Sequence, residues 1–162
     1  MPESSAAASA PNSTPHGPTV LYSEKLSPSA WIWLVAAGVS AAGILVLAPI
    51  SMTAGYTAAV VLFVIISVLL LVSTPSIAVT TESLRVGRAT IERRFVGSVQ
   101  PFRGKEATAE RGTRLHGLAY LCLRGWVDPV VRIEITDPSD PTPYWLTSTR
   151  RPEALVEALT KS

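Results

Sequence analysis

Charge is missing from much of the first half of the chain. Only 16% of the 162 residues are Asp, Glu, Lys or Arg, and the mean hydropathy is +0.33. None of these residue types, and no histidine, occurs between Lys25 and Glu82. A tract of this length cannot form a soluble surface without charged side chains, because such surfaces are rich in them. The tract therefore requires an apolar solvent, which indicates an integral membrane protein.

Residues suited to covalent or metal chemistry are also scarce. Cys122 is the single cysteine, which excludes an internal disulfide, and a buried inert thiol is expected. No nucleophile elbow, phosphate-binding loop, dinucleotide fingerprint or paired-cysteine motif occurs. Asp137 and Asp140 stand among prolines, which favours a turn over a metal site. We expect no metal, no cofactor and no enzymatic activity. The alternative is an enzyme with an unrecognised site formed by His116, Arg124 and Asp128.

Two apolar runs follow one another within the uncharged tract. The first, residues 30–48, opens with Trp31 and Trp33, and aromatic rings of this kind are typical of the bilayer interface. The second run is residues 56–73. Each predicts a helix of roughly 28 Å, close to the thickness of a bilayer core. The uncharged segment 49–55 predicts a tight external turn, so the two runs form a transmembrane hairpin.

The flanking segments set the predicted orientation. Residues 1–20 contain almost no large apolar side chain, which predicts a disordered tail, and residues 21–29 are expected to form an interfacial lead-in. The turn between the spans has no basic residue, whereas several arginines follow the second span closely. Because basic residues are retained on the cytoplasmic side, both termini are predicted to be cytoplasmic and the protein to be multi-pass in the plasma membrane.

Small residues recur in the first span at helical spacing. Ala37 lies four residues before Ala41, and Gly38 lies four residues before Ala42. Small side chains at this spacing let a second helix approach closely in lipid, which predicts a helix–helix packing face. The alternative is that an alanine-rich composition produces such pairs by chance.

Residues 76–162 show the shorter period of β-strands. Val131, Ile133 and Ile135 alternate with polar side chains, and five comparable short runs surround them. Pro152 opens a C-terminal helix with an apolar stripe. The predicted fold class is an α+β membrane protein: a two-helix transmembrane hairpin followed by a small, bent antiparallel sheet or barrel of six or seven strands, capped by the C-terminal helix.

Arginine dominates the basic residues of this second part. From Glu82 onward the chain has 13 Lys and Arg against 10 Asp and Glu, and 11 of the 13 are arginine. Each base near an anionic bilayer adds about 1 kcal/mol of attraction, and free amides at the start of the C-terminal helix also attract anions. The predicted lipid- or partner-binding residues are Arg85, Arg88, Arg93, Arg94, Arg124, Trp126, Trp145, Arg150 and Arg151.

Two alternatives stand beside this prediction. The arginines can serve only to fix the topology or to form a solvated face, and the tryptophan rings can pack in the core. Nucleic acid is not expected as a partner, because the net charge of this part is only +3 and no aromatic–basic stripe occurs.

Several segments resemble one protein family. They are YSEKLSPSAWIW, IAVTTESLRVGRATIERRFVGSV, AYLCLRGW and DPSDPTPYWLTSTRRPEAL. With the two spans, they resemble the actinobacterial membrane proteins catalogued as the domain of unknown function numbered three-zero-nine-three, over nearly all of residues 20–160. The resemblance implies a two-helix membrane protein and brings no activity or catalytic residue. A looser resemblance of residues 76–162 to bacterial pleckstrin-homology-like domains implies a fold rather than a function.

These observations favour a non-enzymatic, membrane-anchored interaction module. Its cytoplasmic domain is expected to bind inner-leaflet lipid headgroups or a partner membrane protein. The main alternative is an accessory subunit that assembles a larger membrane complex or a homo-oligomer. In that case the small-residue face and the rings of Trp126 and Trp145 would be contact surface.

Overall fold

The computed structural model describes residues 18–161, which form an α+β chain. Its elements, in order, are β1 (Val20–Lys25), α1 (Ala30–Leu47), α2 (Met52–Val72), β2 (Ser76–Thr80), β3 (Ser83–Val86), β4 (Ala89–Glu92), a 3-10 turn (Arg93–Phe95), β5 (Val96–Phe102), α3 (Gly104–Arg111), β6 (Tyr120–Cys122), β7 (Val130–Ile135), β8 (Tyr144–Ser148) and α4 (Pro152–Thr160). The predicted tail, residues 1–20, lies outside the described residues except for its last three, and Val20 already belongs to β1.

Both α1 and α2 are long and apolar enough to cross a bilayer. Neither resembles the core helix of a soluble domain, because almost all of their side chains lie on the surface of the structure. Leu45 is 78% exposed and Val72 is 80% exposed. An apolar surface of this extent is stable only in contact with another apolar phase.

The second helix begins four residues earlier than predicted, at Met52 rather than Tyr56. Ser51 has extended backbone angles, and its hydroxyl oxygen accepts a hydrogen bond from the Ala54 amide at 3.4 Å. This is N-capping, which satisfies an amide that the first helical turn leaves free. The connection between the helices is therefore residues 48–51, shorter than the predicted turn.

The contact between α1 and α2 uses a different face from the one predicted. The buried residues are Ala36 and Ser40 of α1 and Gly55 and Ala59 of α2. The predicted packing residues, Ala37, Gly38, Ala41 and Ala42, are all exposed. The prediction was wrong for the hairpin contact by about one residue, which is a rotation of about 100° around a helix. Whether the exposed face meets another protein stays a prediction.

Gly55 gives a direct test of how closely the helices approach. A Cβ atom at this position would lie 3.2 Å from the Ile44 carbonyl oxygen and 3.3 Å from the Ile44 Cα atom, so backbone would have to move. We expect Gly55→Val to destabilise the hairpin by about 1–3 kcal/mol through overpacking. The matched control is Gly38→Val, because a Cβ atom there meets nothing within 4 Å. Thermal unfolding in detergent, followed by helical circular dichroism, should show a lower midpoint for Gly55→Val only. Equal midpoints would contradict the close contact.

The strands form two four-stranded sheets. The first has the order β1-β2-β3-β4 and is antiparallel throughout. The second has the order β5-β7-β8-β6, in which β6 runs parallel to β8. The prediction of a purely antiparallel sheet was therefore wrong at β6. Strand β6 lies at the edge of this sheet and precedes β7 and β8 in the chain. The chain then crosses from β6 to β7, which pairs with β5, and returns as β8 between β7 and β6.

The predicted interfacial lead-in, residues 21–29, is in fact largely a strand. Tyr22 pairs with Val79, and Glu24 pairs with Ile77. The Leu26 amide continues the ladder by donating to the Pro75 carbonyl oxygen at 3.0 Å. The sheet domain is therefore not confined to residues 76–162, and α1 and α2 are an insertion between two neighbouring strands.

One main core lies between the two sheets and α4. Ile77 and Leu84 of the first sheet meet Ile133 of the second sheet and Leu155 of α4, and all four are fully buried. A smaller cluster under α3 contains Ala107, Val130, Tyr144 and Leu146. The C-terminal helix thus begins at the predicted Pro152 and closes the domain with its apolar stripe.

Candidate functional site

The nine side chains predicted to bind a lipid or partner do not form one surface. Some are bound to the chain's own backbone, one is in the core, and three line a cavity at the end of α2. Their contacts decide which of them remain available to a ligand.

Arg93 holds the end of α4. Its guanidinium donates to the carbonyl oxygens of Ala158 at 3.1 Å, Leu159 at 3.0 Å and Lys161 at 3.0 Å. The last carbonyls of a helix have no partner within the helix and carry partial negative charge, so a cation is favourable there. Arg93 is therefore a helix cap in this structure, and the donors of its Nη2 nitrogen are already used.

Arg150 and Arg151 clamp the N-terminal strand. The Arg150 guanidinium donates to the Ser27 carbonyl oxygen at 2.6 Å, and that of Arg151 donates to the Ser23 carbonyl oxygen at 3.2 Å. Arg151 also lies over the Tyr22 ring, 5.2 Å from its centroid. Both arginines hold β1 against the segment that enters α4, a role that sequence reasoning did not foresee.

A buried carboxylate of the chain itself lies beside the segment that leads into α4. Glu24 is 7% exposed, and its carboxylate accepts hydrogen bonds from the Arg150 amide at 2.9 Å and the Tyr22 hydroxyl at 2.6 Å. The Thr149 hydroxyl donates to the same carboxylate. Burial and the hydrogen bond to Glu24 raise the pKa of Tyr22 to about 12, which keeps its hydroxyl protonated and donating. This network, Tyr22–Glu24–Thr149, was missed by sequence reasoning.

The two predicted tryptophans differ in position. Trp145 is 4% exposed in the main core, and its ring lies 5.2 Å from that of Tyr120. Of the two roles considered for this ring, Trp145 has the core-packing one rather than contact surface, since β8 is buried along its whole length. Trp126 is half-buried against the same core, with the Arg124 guanidinium 5.9 Å from its ring centroid.

Arg94 is exposed and already paired. Its Nε lies 2.9 Å from the Glu92 carboxylate, and its guanidinium lies 4.7 Å from the Phe95 ring centroid. It lines an open groove of about 960 Å³ beside α4, together with Arg93 and Lys161. Lys161 pairs with Glu157. Within residues 18–161, each basic side chain of this groove thus already has a partner in the chain: a carboxylate for Arg94 and Lys161, and backbone carbonyl oxygens for Arg93.

Arg85, Arg88 and Arg124 line a second cavity, of about 390 Å³. Its walls are the end of α2, the turn between β3 and β4, and β6. Gly87 makes this turn with a φ of +61°, a conformation that favours glycine, and a Cβ atom there would meet Cys122 Sγ and the Tyr120 hydroxyl oxygen at 3.3 Å. The turn is fastened by the Tyr120 hydroxyl, which donates to the Val86 carbonyl oxygen at 3.0 Å.

Arg124 connects this cavity to α2. Its guanidinium donates to the Ser73 carbonyl oxygen, directly after the last residue of the helix, and to the Leu123 carbonyl oxygen at 2.9 Å. A cation at this end of a helix is favoured by the helix dipole. Arg124 thereby joins the segment after β6 to the end of the apolar hairpin.

The three residues of the enzymatic alternative have separate partners. The His116 ring accepts a hydrogen bond from the Leu118 amide at 3.2 Å within its own loop. The Asp128 carboxylate accepts from the Gly104 amide at 3.0 Å at the start of α3. Arg124 lies at the end of α2, so each of the three serves a different element.

The remaining reactive groups have structural partners. Burial is the main cause that raises the pKa of the Cys122 thiol, which opposes formation of a reactive thiolate. Asp137 accepts from the Ser139 amide at 2.9 Å, and Asp140 accepts from the Thr142 amide at 2.9 Å, as in the predicted turn. Within residues 18–161, no cluster of three or more His, Cys, Asp or Glu could hold a metal ion.

Comparison with known proteins gives a family and no activity. A family model described as "Protein of unknown function (DUF3093)" matches residues 21–159. No curated protein and no solved structure matches the chain. The match includes both apolar helices and nearly all of β1 and α4, so it covers almost all of the described structure.

Proposed function

Since the chain belongs to the DUF3093 family of proteins of unknown function, we propose on physical grounds that it is a non-enzymatic, membrane-anchored module that binds anionic lipid headgroups. In this proposal α1 and α2 cross the plasma membrane as a hairpin, and both termini lie in the cytoplasm. The two-sheet domain, which we propose to be pleckstrin-homology-like, then stands against the inner leaflet.

The connection between hairpin and sheet supports this position. β1 is separated from α1 by residues 26–29, and α2 is separated from β2 by residues 73–75. The Leu26 amide and the Pro75 carbonyl oxygen, on the two connections, are hydrogen-bonded to each other at 3.0 Å. With the hairpin in the bilayer as proposed, the first sheet starts within a few residues of the apolar core, at the level of the lipid headgroups.

The observation that carries the proposal is the placement of Arg85, Arg88 and Arg124 beside the end of α2. All three line one cavity that also includes Val72 and Ser73. Bases near an anionic bilayer surface are attracted to it. The other predicted arginines support the proposal less, because Arg93, Arg150 and Arg151 are bound to backbone carbonyls of the chain itself.

Lipid binding by the whole protein tests the proposal. We expect the full chain, extracted in mild detergent and offered equal amounts of phosphatidylglycerol and phosphatidylcholine, to retain the anionic lipid at least about fivefold more often. Native mass spectrometry counts the lipids bound to each protein molecule. Equal retention of the two lipids would overturn the proposal. The full chain is required, because a fragment that starts at residue 76 lacks β1.

The accessory-subunit alternative loses one of its expected surfaces, since Trp145 is buried. The exposed face of α1 with Ala37, Gly38, Ala41 and Ala42 remains its main support. Cross-linking in native membranes followed by purification separates the two functions. A stoichiometric protein partner together with equal retention of both lipids favours the accessory subunit.

A further inference from the structure

The cavity at the end of α2 has an unusual charge. Of the described residues that line it, three are arginines and none is Asp or Glu. Elsewhere in the described chain, arginines commonly meet a carboxylate: Arg103 meets Glu153, Arg111 meets Asp128, and Arg114 and Arg132 meet Glu110. Within residues 18–161, Arg85, Arg88 and Arg124 form no such pair. A concave site with charge of one sign concentrates ions of the other sign.

The donors in this cavity are only partly used. Arg88 makes no hydrogen bond within the described residues, and Arg85 makes one long contact of 3.5 Å to the Gly87 carbonyl oxygen. Arg124 uses each of its two terminal nitrogens on a carbonyl oxygen, which leaves a second N–H on each of them, whereas its Nε is buried. A guanidinium carries five N–H donors in a planar fork that matches the oxygens of a phosphate group. The free N–H donors of the three arginines therefore suit a phosphate group, whereas an apolar ligand would leave them without acceptors.

The edges of the cavity distinguish a lipid from a free phosphate ion. Val72, the last residue of α2, is 80% exposed, and Leu121 at the β6 wall is 43% exposed. A phosphate held by the arginines would thus have apolar side chains beside it that continue along the outer face of α2. Acyl chains beside such a face stay in an apolar environment, so a lipid phosphate can reach the arginines without exposing its chains to water.

We infer that the cavity formed by Arg85, Arg88 and Arg124 binds the phosphodiester of one anionic phospholipid, with its acyl chains along α2. This inference rests on the proposed function and adds the place and the chemical class of the ligand. Arg124 binds the lipid phosphate with the donors that it does not use on α2, so the bound lipid bridges the hairpin and the second sheet.

The test compares two triple variants of the full chain, each of which removes three positive charges. The first is Arg85→Gln, Arg88→Gln and Arg124→Gln in the cavity. The control is Arg94→Gln, Lys105→Gln and Lys161→Gln, whose parent side chains are exposed outside the cavity. With phosphatidylglycerol as the probe, native mass spectrometry should show about a hundredfold weaker retention for the cavity variant. The control should retain the lipid as the parent does.

The triple cavity variant could lose lipid because it misfolds, since Arg124→Gln also removes the contact with Ser73. A single substitution separates this effect from the loss of a ligand-binding group. Arg88→Gln alone changes an exposed side chain without a hydrogen bond in the described chain, and we expect about fivefold weaker retention. Circular dichroism of each variant verifies that the fold is kept.

The possible outcomes separate this inference from the proposed function. If the parent prefers phosphatidylglycerol and both triple variants keep that preference, the cavity inference is wrong and the proposed function stands. If the control variant alone loses the lipid, the site is the groove beside α4. If the parent shows no preference, both fail. Millimolar inorganic phosphate should leave the lipid bound; its displacement by phosphate would show that the cavity binds the free anion instead.

Discussion

Replacement of Glu24 by alanine should lower the free energy of unfolding of the two-sheet domain by about 4 kcal/mol. The carboxylate accepts hydrogen bonds from the Tyr22 hydroxyl, the Thr149 hydroxyl and the Arg150 amide, and all three would lose this charged acceptor. The two hydroxyls would keep only their 3.2 Å contact with each other. Buried donors without an acceptor are costly, and hydrogen bonds to a charged acceptor are stronger than neutral ones. Urea denaturation of the full chain in detergent, followed by near-ultraviolet circular dichroism, measures the loss.

Two further variants show whether burial causes this loss. Glu82 is an exposed glutamate between β2 and β3 of the same sheet, so Glu82→Ala should change the stability by less than about 0.5 kcal/mol. Glu24→Gln keeps one carbonyl oxygen as acceptor and should fall between the parent and Glu24→Ala. If Glu24→Ala and Glu82→Ala unfold at the same urea concentration, the Glu24 carboxylate does not stabilise the packing of β1.

Arg93→Ala should destabilise the domain by about 3 kcal/mol and release the end of α4. Three carbonyl oxygens near the helix end lose a charged donor, and Leu159, which packs in the core, lies beside them. Hydrogen exchange measured by mass spectrometry should show faster exchange in α4 than in the parent. Retention of phosphatidylglycerol by the folded fraction should not change, because Arg93 is a helix cap rather than a ligand of the cavity.

Arg94→Ala is the matched control, since it removes the neighbouring arginine from an exposed pair with Glu92. An exposed ion pair contributes at most about 1 kcal/mol, so exchange in α4 should stay as in the parent. Equal exchange of α4 in both variants would show that the three carbonyl contacts of Arg93 do not stabilise the helix.

The apolar helices could be predicted from the sequence, because the lack of charge is a property of the whole tract. Their contact face could not be predicted in the same way. A helix that is apolar all round has no polar side to show which residues meet the partner, and Ala36 looks no different from Ala37. The buried face is recognised only in the structure, where the backbones approach closely at Gly55.

Strand β1 was missed for two physical reasons. Its inward side chains are Tyr22 and Glu24, followed by the inward Leu26, so a charged residue interrupts the apolar alternation that marks a half-buried strand. Its partner β2 also follows only after both helices, which places the pairing residues about fifty positions apart. One signal was present in the sequence. Glu24 is the single acidic residue between Glu3 and Glu82, and an isolated acidic residue of this kind could have been considered as a buried hydrogen-bond acceptor.

The sequence could predict that arginines form the candidate site, but not which of them lie together in the fold. Arg93 and Arg94 are neighbours in sequence, yet one caps α4 and the other pairs with Glu92. Arg124 was chosen from sequence without any sign that it would reach Ser73 at the end of α2. Which arginines remain available depends on long-range contacts, and residue type alone does not carry that information.

The insertion of the hairpin between β1 and β2 has a consequence for binding. A domain on one flexible tether can turn freely, and it loses rotational and translational entropy each time it engages a surface. Here two attachments emerge from adjacent strands, which lie about 4.8 Å apart, and swivelling about either one is blocked by the other. That entropy is lost once, during folding, so any later binding begins from a domain whose orientation relative to α1 and α2 is already restricted.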